Sequence, residues 1–178
     1  TLNLSNNKKL TFVNVSGNGE MASLNVKGCT ELTTVWANET GLKELDLTGC
    51  AKLYELQCDV NQAITSINLT GCSSLRLFTC QNSESLSKLV YDDLSALTTL
   101  KYGHTQISLT KAQLEQLTQV TTLGCAARYS DTGVLDLPDS MKSRLTYLEC
   151  QNNNLKALDL SEYPNLTILH CYWNNMTE

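Results

Sequence analysis

Eight cysteines and two histidines in 178 residues are the side chains best suited to reactive chemistry. Thiols can pair as disulfides, attack as nucleophiles or hold a soft metal, and a histidine beside a serine, cysteine or carboxylate can move a proton. Their spacing supports little of this. No Cys-x-x-Cys occurs anywhere, and the nearest cysteines, such as Cys50 and Cys58, are eight positions apart. Neither His104 nor His170 sits beside a nucleophile motif such as Gly-x-Ser-x-Gly. Gly17-Asn-Gly19 is an isolated turn, not a phosphate-cradling loop. Asp131-Thr-Gly133 with Asp136 offers acidic oxygens for a cation, yet lacks the alternating Asp/Asn series of a calcium loop. The expectation is a chain with no catalytic residues, no cofactor and no metal.

The elements that would position these residues are set by leucine, which is about one residue in six. Its recurrence is periodic: blocks begin at Leu10, Leu32, Leu53, Leu75, Leu97, Val120, Leu145 and Leu166, in steps of 21 to 25 residues. The clearest read L-x-x-L-x-C-x-x-N-x-L, as in Leu145, Leu148, Cys150, Asn153, Leu155 and in Leu166, Leu169, Cys171, Asn174, Met176. A second motif runs half a period behind, at Leu24-Asn-Val, Leu45-Asp-Leu, Ile67-Asn-Leu, Leu135-Asp-Leu and Leu158-Asp-Leu. Leu2-Asn3-Leu4 is the same motif at the start of the chain.

These blocks resemble the leucine-rich-repeat family, and the resemblance covers essentially the whole chain. The short period, the Cys at the third apolar position and the trailing L-D-L-[ST] are most similar to the repeats of internalin-like bacterial surface proteins. The resemblance implies one curved solenoid over 1–178, an α/β repeat of about eight rungs. A parallel sheet would line its concave face, with short strands, turns or brief helices on the convex face. It also implies a secreted or surface-displayed piece of a longer bacterial protein. The start at Thr1, without Met or signal segment, fits a processed chain, and reduced cysteines would also suit an intracellular scaffold.

The physics of the period agrees. In L-x-x-L-x-C the last positions alternate in, out, in, as a short strand requires, and one such strand buries its face only by stacking on its neighbours. Asn at the ninth position (Asn18, Asn61, Asn153, Asn174) can bond backbone groups left unpaired by the turn, within its own rung and on the next one. Thr40, Ser83 and Thr105 replace it elsewhere and should bond less. In the longer repeats near 107–145, Thr110-Lys-Ala-Gln113 reads as a capping box opening about two helical turns over 110–118, and Pro138-Asp-Ser-Met-Lys-Ser as a helical turn or a protruding loop.

The register sorts the cysteines into two ladders. Cys58, Cys80, Cys125, Cys150 and Cys171 occupy the inward strand position, whereas Cys29, Cys50 and Cys72 close the second motif. They read as small buried hydrophobes that stay blocked until unfolding. Neighbouring rungs about 4.8 Å apart would permit disulfides, although parallel Cβ vectors would strain them. His104 and His170 fall three rungs apart, roughly 14 Å, and Glu55 and Glu149 four rungs apart. The first spacing is too wide for a histidine dyad, and the second for paired-acid hydrolysis of glycosides.

The outward strand positions are the third, fifth, seventh and eighth of each block. They collect Phe12, Trp36, Glu55, Leu77, Lys101, His104, Tyr147, Glu149, Ile168, His170, Tyr172 and Trp173, including both tryptophans and both histidines. A merely solvated sheet does not need such residues, whereas interfaces are enriched in Trp and Tyr. The expected binding residues are Phe12, Trp36, Glu55, Lys101, Tyr147, Glu149, His170, Tyr172 and Trp173. The terminal cluster reads equally as a partner site or as a face covered by a further rung or cap. The partner expected is a protein, with carbohydrate recognition or a structural spacer arm as alternatives. No stretch is long and apolar enough for membrane insertion, and 13 basic against 18 acidic residues with no basic run argues against nucleic acid. Six N-x-[ST] triplets, at Asn3, Asn14, Asn38, Asn68, Asn165 and Asn175, follow the repeat pattern and carry no further inference.

Overall fold

Each leucine block folds into one three-residue strand, and the strands stack in chain order. The structure, a computed structural model, describes residues 1–126 and 133–177. In chain order the elements are β1 (Leu2–Asn3), β2 (Phe12–Asn14), β3 (Leu24–Asn25), β4 (Thr34–Trp36), β5 (Glu44–Asp46), β6 (Glu55–Gln57), β7 (Ser66–Asn68), β8 (Leu77–Thr79), β9 (Lys88–Val90), β10 (Thr99–Lys101), α1 (Lys111–Glu115), β11 (Thr122–Gly124), α2 (Asp139–Lys142), β12 (Tyr147–Glu149) and β13 (Ile168–His170). An eight-stranded parallel sheet runs β2-β4-β6-β8-β10-β11-β12-β13, and two smaller parallel sheets, β1-β3 and β5-β7-β9, form from the second motif. The fold is a leucine-rich-repeat solenoid.

The register explains the core. Val13, Val35, Leu56, Phe78, Leu100, Leu123, Leu148 and Leu169 form one continuous column of strand partners. All but Leu169 are buried. With the block-opening leucines on one side and the second motif on the other, a single core runs the length of the molecule. A buried leucine of this kind contributes about 2 kcal/mol from apolar burial. Outside the core, the hydroxyls of Thr33, Thr98, Thr146 and Thr167 donate to carbonyls of the preceding rung (2.9, 3.1, 3.1 and 3.0 Å).

The asparagine column binds the rungs together, and it reaches backward, not forward as the sequence suggests. Asn61 Nδ2 donates to Cys58 O in its own rung and to Ala37 O in the preceding one (both 2.8 Å), and Asn61 Oδ1 accepts from Thr40 N at 2.7 Å. Asn153 likewise bonds Cys150 O and Cys125 O, and Asn174 bonds Cys171 O and Cys150 O. The substitutes do less. Thr105 Oγ1 donates to Tyr102 O at 2.7 Å, within its own rung. Asn3 and Asn68 in the second motif, and Asn14 at the end of β2 in the first, each accept the backbone N–H two residues on, from Ser5, Thr70 and Ser16 at 3.0 to 3.1 Å. Three of the N-x-[ST] triplets are thus local turns that the repeat requires.

The convex side departs from expectation in the length of its first helix and in which motifs form strands. Thr110 and Gln113 form the capping box, but the helix is only Lys111–Glu115. The extra residues of the long repeats also form α2, at Asp139–Lys142. The motifs at Leu135 and Leu158 form no strands, since these helices replace the neighbour a convex strand would pair with. Conversely, Lys88-Leu-Val continues the convex sheet as β9 without the L-D-L pattern. No helix is long and apolar enough to cross a membrane among the described residues.

Candidate functional site

The outward positions of the eight-stranded sheet make one continuous face, and a single hydrogen bond shows that it is concave. Gln81 follows β8 and Glu149 lies on β12, three rungs away, yet Gln81 Nε2 donates to Glu149 Oε2 at 2.9 Å. Three rungs are nominally about 14 Å. That is farther than two extended side chains and a hydrogen bond cover on a flat sheet, so the face curves in on itself.

At the N-terminal end of this face, Phe12 and Trp36 meet edge to face, with ring centroids 5.1 Å apart and planes at 84°. Trp36 Nε1 donates to Glu55 Oε1 on the next strand at 2.8 Å, and Gln57 Nε2 donates to the same oxygen at 2.6 Å. The indole is thus fixed at both ends. Glu55 Oε2 has no bonding partner among the described residues. In the same rung as Glu55, Asp59 accepts from two groups of the next rung, Gln81 N at 2.7 Å and Thr79 Oγ1 at 3.0 Å. Burial raises its pKa against those bonds and the attraction of Lys101.

The C-terminal half is organised by Glu149. Lys101 Nζ donates to Glu149 Oε1 at 2.9 Å, and the Tyr147 hydroxyl donates to the same oxygen. Lys101 also lies 4.3 Å over the Tyr147 ring. Burial works against the Glu149 charge, but the bonds from Tyr147, Lys101 and Gln81 outweigh it and hold the carboxyl below its ordinary pKa. Burial likewise disfavours the Lys101 charge, and Glu149 more than restores it. The pair is possible because the residue between them, in register with both, is Gly124. A Cβ there would sit 2.8 Å from Glu149 Oε2 and 3.0 Å from Lys101 Cγ. Beyond this knot runs an aromatic series, Tyr147, His170, Tyr172 and Trp173, with successive ring distances of 5.6, 6.4 and 5.0 Å. Trp173 is 75% exposed.

The sequence-derived binding residues therefore fall into two groups. The structure brings Phe12, Trp36 and Glu55 together, and separately Lys101, Tyr147, Glu149, His170, Tyr172 and Trp173. Leu77 is half-buried on β8, and His104 follows β10, three strands from His170 on β13. Sequence reasoning missed Gln57, Asp59, Gln81 and Gly124. All four sit at the fifth or seventh positions that the repeat already marks as outward. Only the weight given to aromatic and charged residues, and to the more obvious carboxylates, hid them.

The thiols form the two ladders predicted. None of the eight is bridged in a disulfide, and all but Cys171 are buried. Burial pushes Cys50 up to about 11 and Cys72 and Cys150 up to about 12, with Cys58 and Cys80 also raised well above the ordinary thiol value. Cys171, on the last rung, is half-exposed and so departs from the expectation of eight blocked thiols. Among the described residues, no cluster of His, Cys, Asp or Glu is placed to hold a metal ion. The acidic candidate at Asp131 and Thr132 lies outside the described residues.

No protein-family model matches the chain, and no curated protein does. Among solved structures it is similar to an internalin, InlF, from Listeria monocytogenes, with 25% identity and a TM-score of 0.56 over 98% of this chain and 58% of that one. It is also similar to the functional domain of InlJ from the same organism, described as including a cysteine ladder (19% identity, TM-score 0.41, 100% of this chain, 57% of that). A third is the TLR13–ssRNA13 complex (20% identity, TM-score 0.47, 89% of this chain, 29% of that). The chain thus spans 58% of the InlF chain and 57% of the InlJ domain. Repeat register, strand topology and the likeness to InlF over 98% of this chain agree: the chain is a leucine-rich-repeat solenoid of internalin-like architecture.

Proposed function

We propose that this solenoid is a non-catalytic binding module that recognises a protein partner through its concave sheet face, as the surface-displayed part of a bacterial protein. The observation that carries the reading is the pre-ordering of large side chains on that face. Phe12 and Trp36 are held by each other and by Glu55, and Tyr147 by Glu149 and Lys101. Rigid aromatic anchors bind with little loss of side-chain entropy, which is how a few residues come to dominate an interface. The likeness to InlF of Listeria monocytogenes supports the bacterial surface setting. The absence of nucleic acid from the proposed partners rests on the acidic balance alone.

The test is an array of extracellular proteins and glycans probed with the purified chain, followed by Trp36→Ala and Tyr147→Ala. The expected result is a protein hit weakened about tenfold or more by at least one substitution, with melting temperatures within about 3 °C of the parent. Hits that survive both substitutions would place binding elsewhere. A large fall in melting temperature would mean that these rings are packing elements.

A further inference from the structure

The two halves of the concave face carry the same grouping with one part missing. At Glu149 a carboxylate lies beside an aromatic ring, and the chain supplies the cation: Lys101 bonds the carboxylate at 2.9 Å and covers the Tyr147 ring at 4.3 Å. At Glu55 a carboxylate again lies beside an aromatic ring, Trp36, joined by a 2.8 Å hydrogen bond. Here no cation bonds the carboxylate among the described residues. The outward positions of the first four rungs hold three carboxylates, Glu39, Glu55 and Asp59, and no Lys, Arg or His. Asp59 is occupied by Gln81 and Thr79, whereas Glu39 is exposed and Glu55 keeps one oxygen open among the described residues.

From this we infer that the Phe12–Trp36–Glu55 cluster receives a lysine or arginine side chain from the partner protein, whose docking segment is basic. A guanidinium or ammonium placed there would pair with Glu55 Oε2 and rest on the indole, repeating the geometry that Lys101 adopts over Tyr147. Trp36 is already fixed by Phe12 and Glu55, so the arriving cation does not have to order the ring. The uncompensated carboxylates of Glu39 and Glu55 in the outward columns also favour a basic segment at this end of the face on contact. The inference rests on the concave face being the protein-binding surface and adds the chemistry of what it binds.

The probe is a capped peptide of alternating glycine and arginine, titrated into nitrogen-labelled chain while the indole N–H signals of Trp36 and Trp173 are followed. The Trp36 signal should move saturably. Raising salt from about 50 mM to about 300 mM should weaken the response at least threefold. Glu55→Gln keeps an acceptor for the indole and should weaken it about fivefold. Glu44→Gln, on the convex sheet, should leave it unchanged. The inference is overturned if Trp36 does not move, or if a glycine–glutamine peptide or a neutral oligosaccharide moves it equally. Insensitivity to salt, or equal effects of the two glutamine variants, would also overturn it. Should Glu55→Gln disturb folding, seen as displacement of both indole signals before any peptide is added, the salt and neutral-peptide arms decide. An array hit that is lost in Trp36→Ala but unaffected by salt would overturn the basic partner while upholding the face.

Discussion

Replacing Asn61 by alanine should remove one of the strongest links between rungs. Its side chain is fully buried and makes bonds to Cys58 O, Ala37 O, Thr40 N and Thr40 Oγ1, all at 2.7 to 2.8 Å. In Asn61→Ala the Thr40 hydroxyl, already 3.4 Å from Ala37 O, can turn to that carbonyl. Cys58 O and Thr40 N are left buried without partners. At about 1–3 kcal/mol for each orphaned group, the loss is about 4 kcal/mol. For a chain of this size each kcal/mol lowers the melting temperature by about 2–4 °C, so a fall of about 12 °C is expected. The control is Asn18→Ala, at the equivalent position on the exposed first rung. Asn18 makes one close bond, to Val15 O at 2.7 Å, and water can replace it. Its loss should be about 1 kcal/mol, or about 3 °C. Both are read by circular dichroism on heating and by urea unfolding. Equal falls for the two variants would refute the reasoning, because the argument rests on burial and on contact between rungs, not on the presence of an asparagine.

Other positions give separate tests. Val60 is a β-branched residue at φ +60°, where Asn82 and Asn152 stand in other rungs, so Val60→Asn should stabilise by about 1 kcal/mol and raise the melting temperature by about 3 °C. Gly124→Ala should separate Lys101 from Glu149 and cost about 1–2 kcal/mol, while Gly19→Ala, whose Cβ meets nothing, should cost under about 0.5 kcal/mol; both are read by urea unfolding. Under native alkylation followed by mass spectrometry, Cys171 should react first and the seven buried thiols only on unfolding, so early labelling of Cys58 or Cys80 would contradict the fold. Glu149 has a folded pKa below its ordinary value, so its contribution is complete above that ordinary value and is lost as pH falls through the folded one. Glu149→Gln should therefore be less stable than the parent at neutral pH, with the difference shrinking on acidification.

The rungs were legible because a period of about 22 residues fixes which positions point inward, and a one-residue slip would turn the whole leucine column to solvent. The columns of the concave face follow from the same phase, which is why Trp36, Tyr147 and Glu149 could be placed on it. What could not be read was reach across columns. Gln81 meets Glu149, 68 residues away, only because the face curves and because Gly124 clears the path. Neither condition has a local signature. The convex side was less legible for a different reason. Lys88-Leu-Val pairs as β9 because β7 offers it an edge, whereas the better motif at Leu135 follows a helical stretch and has no strand beside it. There, tertiary context outweighs pattern.

One missing side chain also sets the electrostatic character of the binding face. With Gly124, the positive charge of Lys101 is spent on Glu149 and Tyr147, and the C-terminal half presents neutral aromatic surface, with Tyr172 and Trp173 outermost. The N-terminal half keeps Glu39 and Glu55 uncompensated by any cation in its outward columns. Such a face is polarised along its length: one end presents unpaired carboxylates to a basic segment, and the other offers apolar area. Attraction at a single end fixes the direction in which a partner can lie, because the reverse alignment brings its basic segment to aromatic surface whose one carboxylate already has its cation. Orientation would then be set by the difference between carboxylates that no cation pairs at one end and a carboxylate that Gly124 lets Lys101 pair at the other.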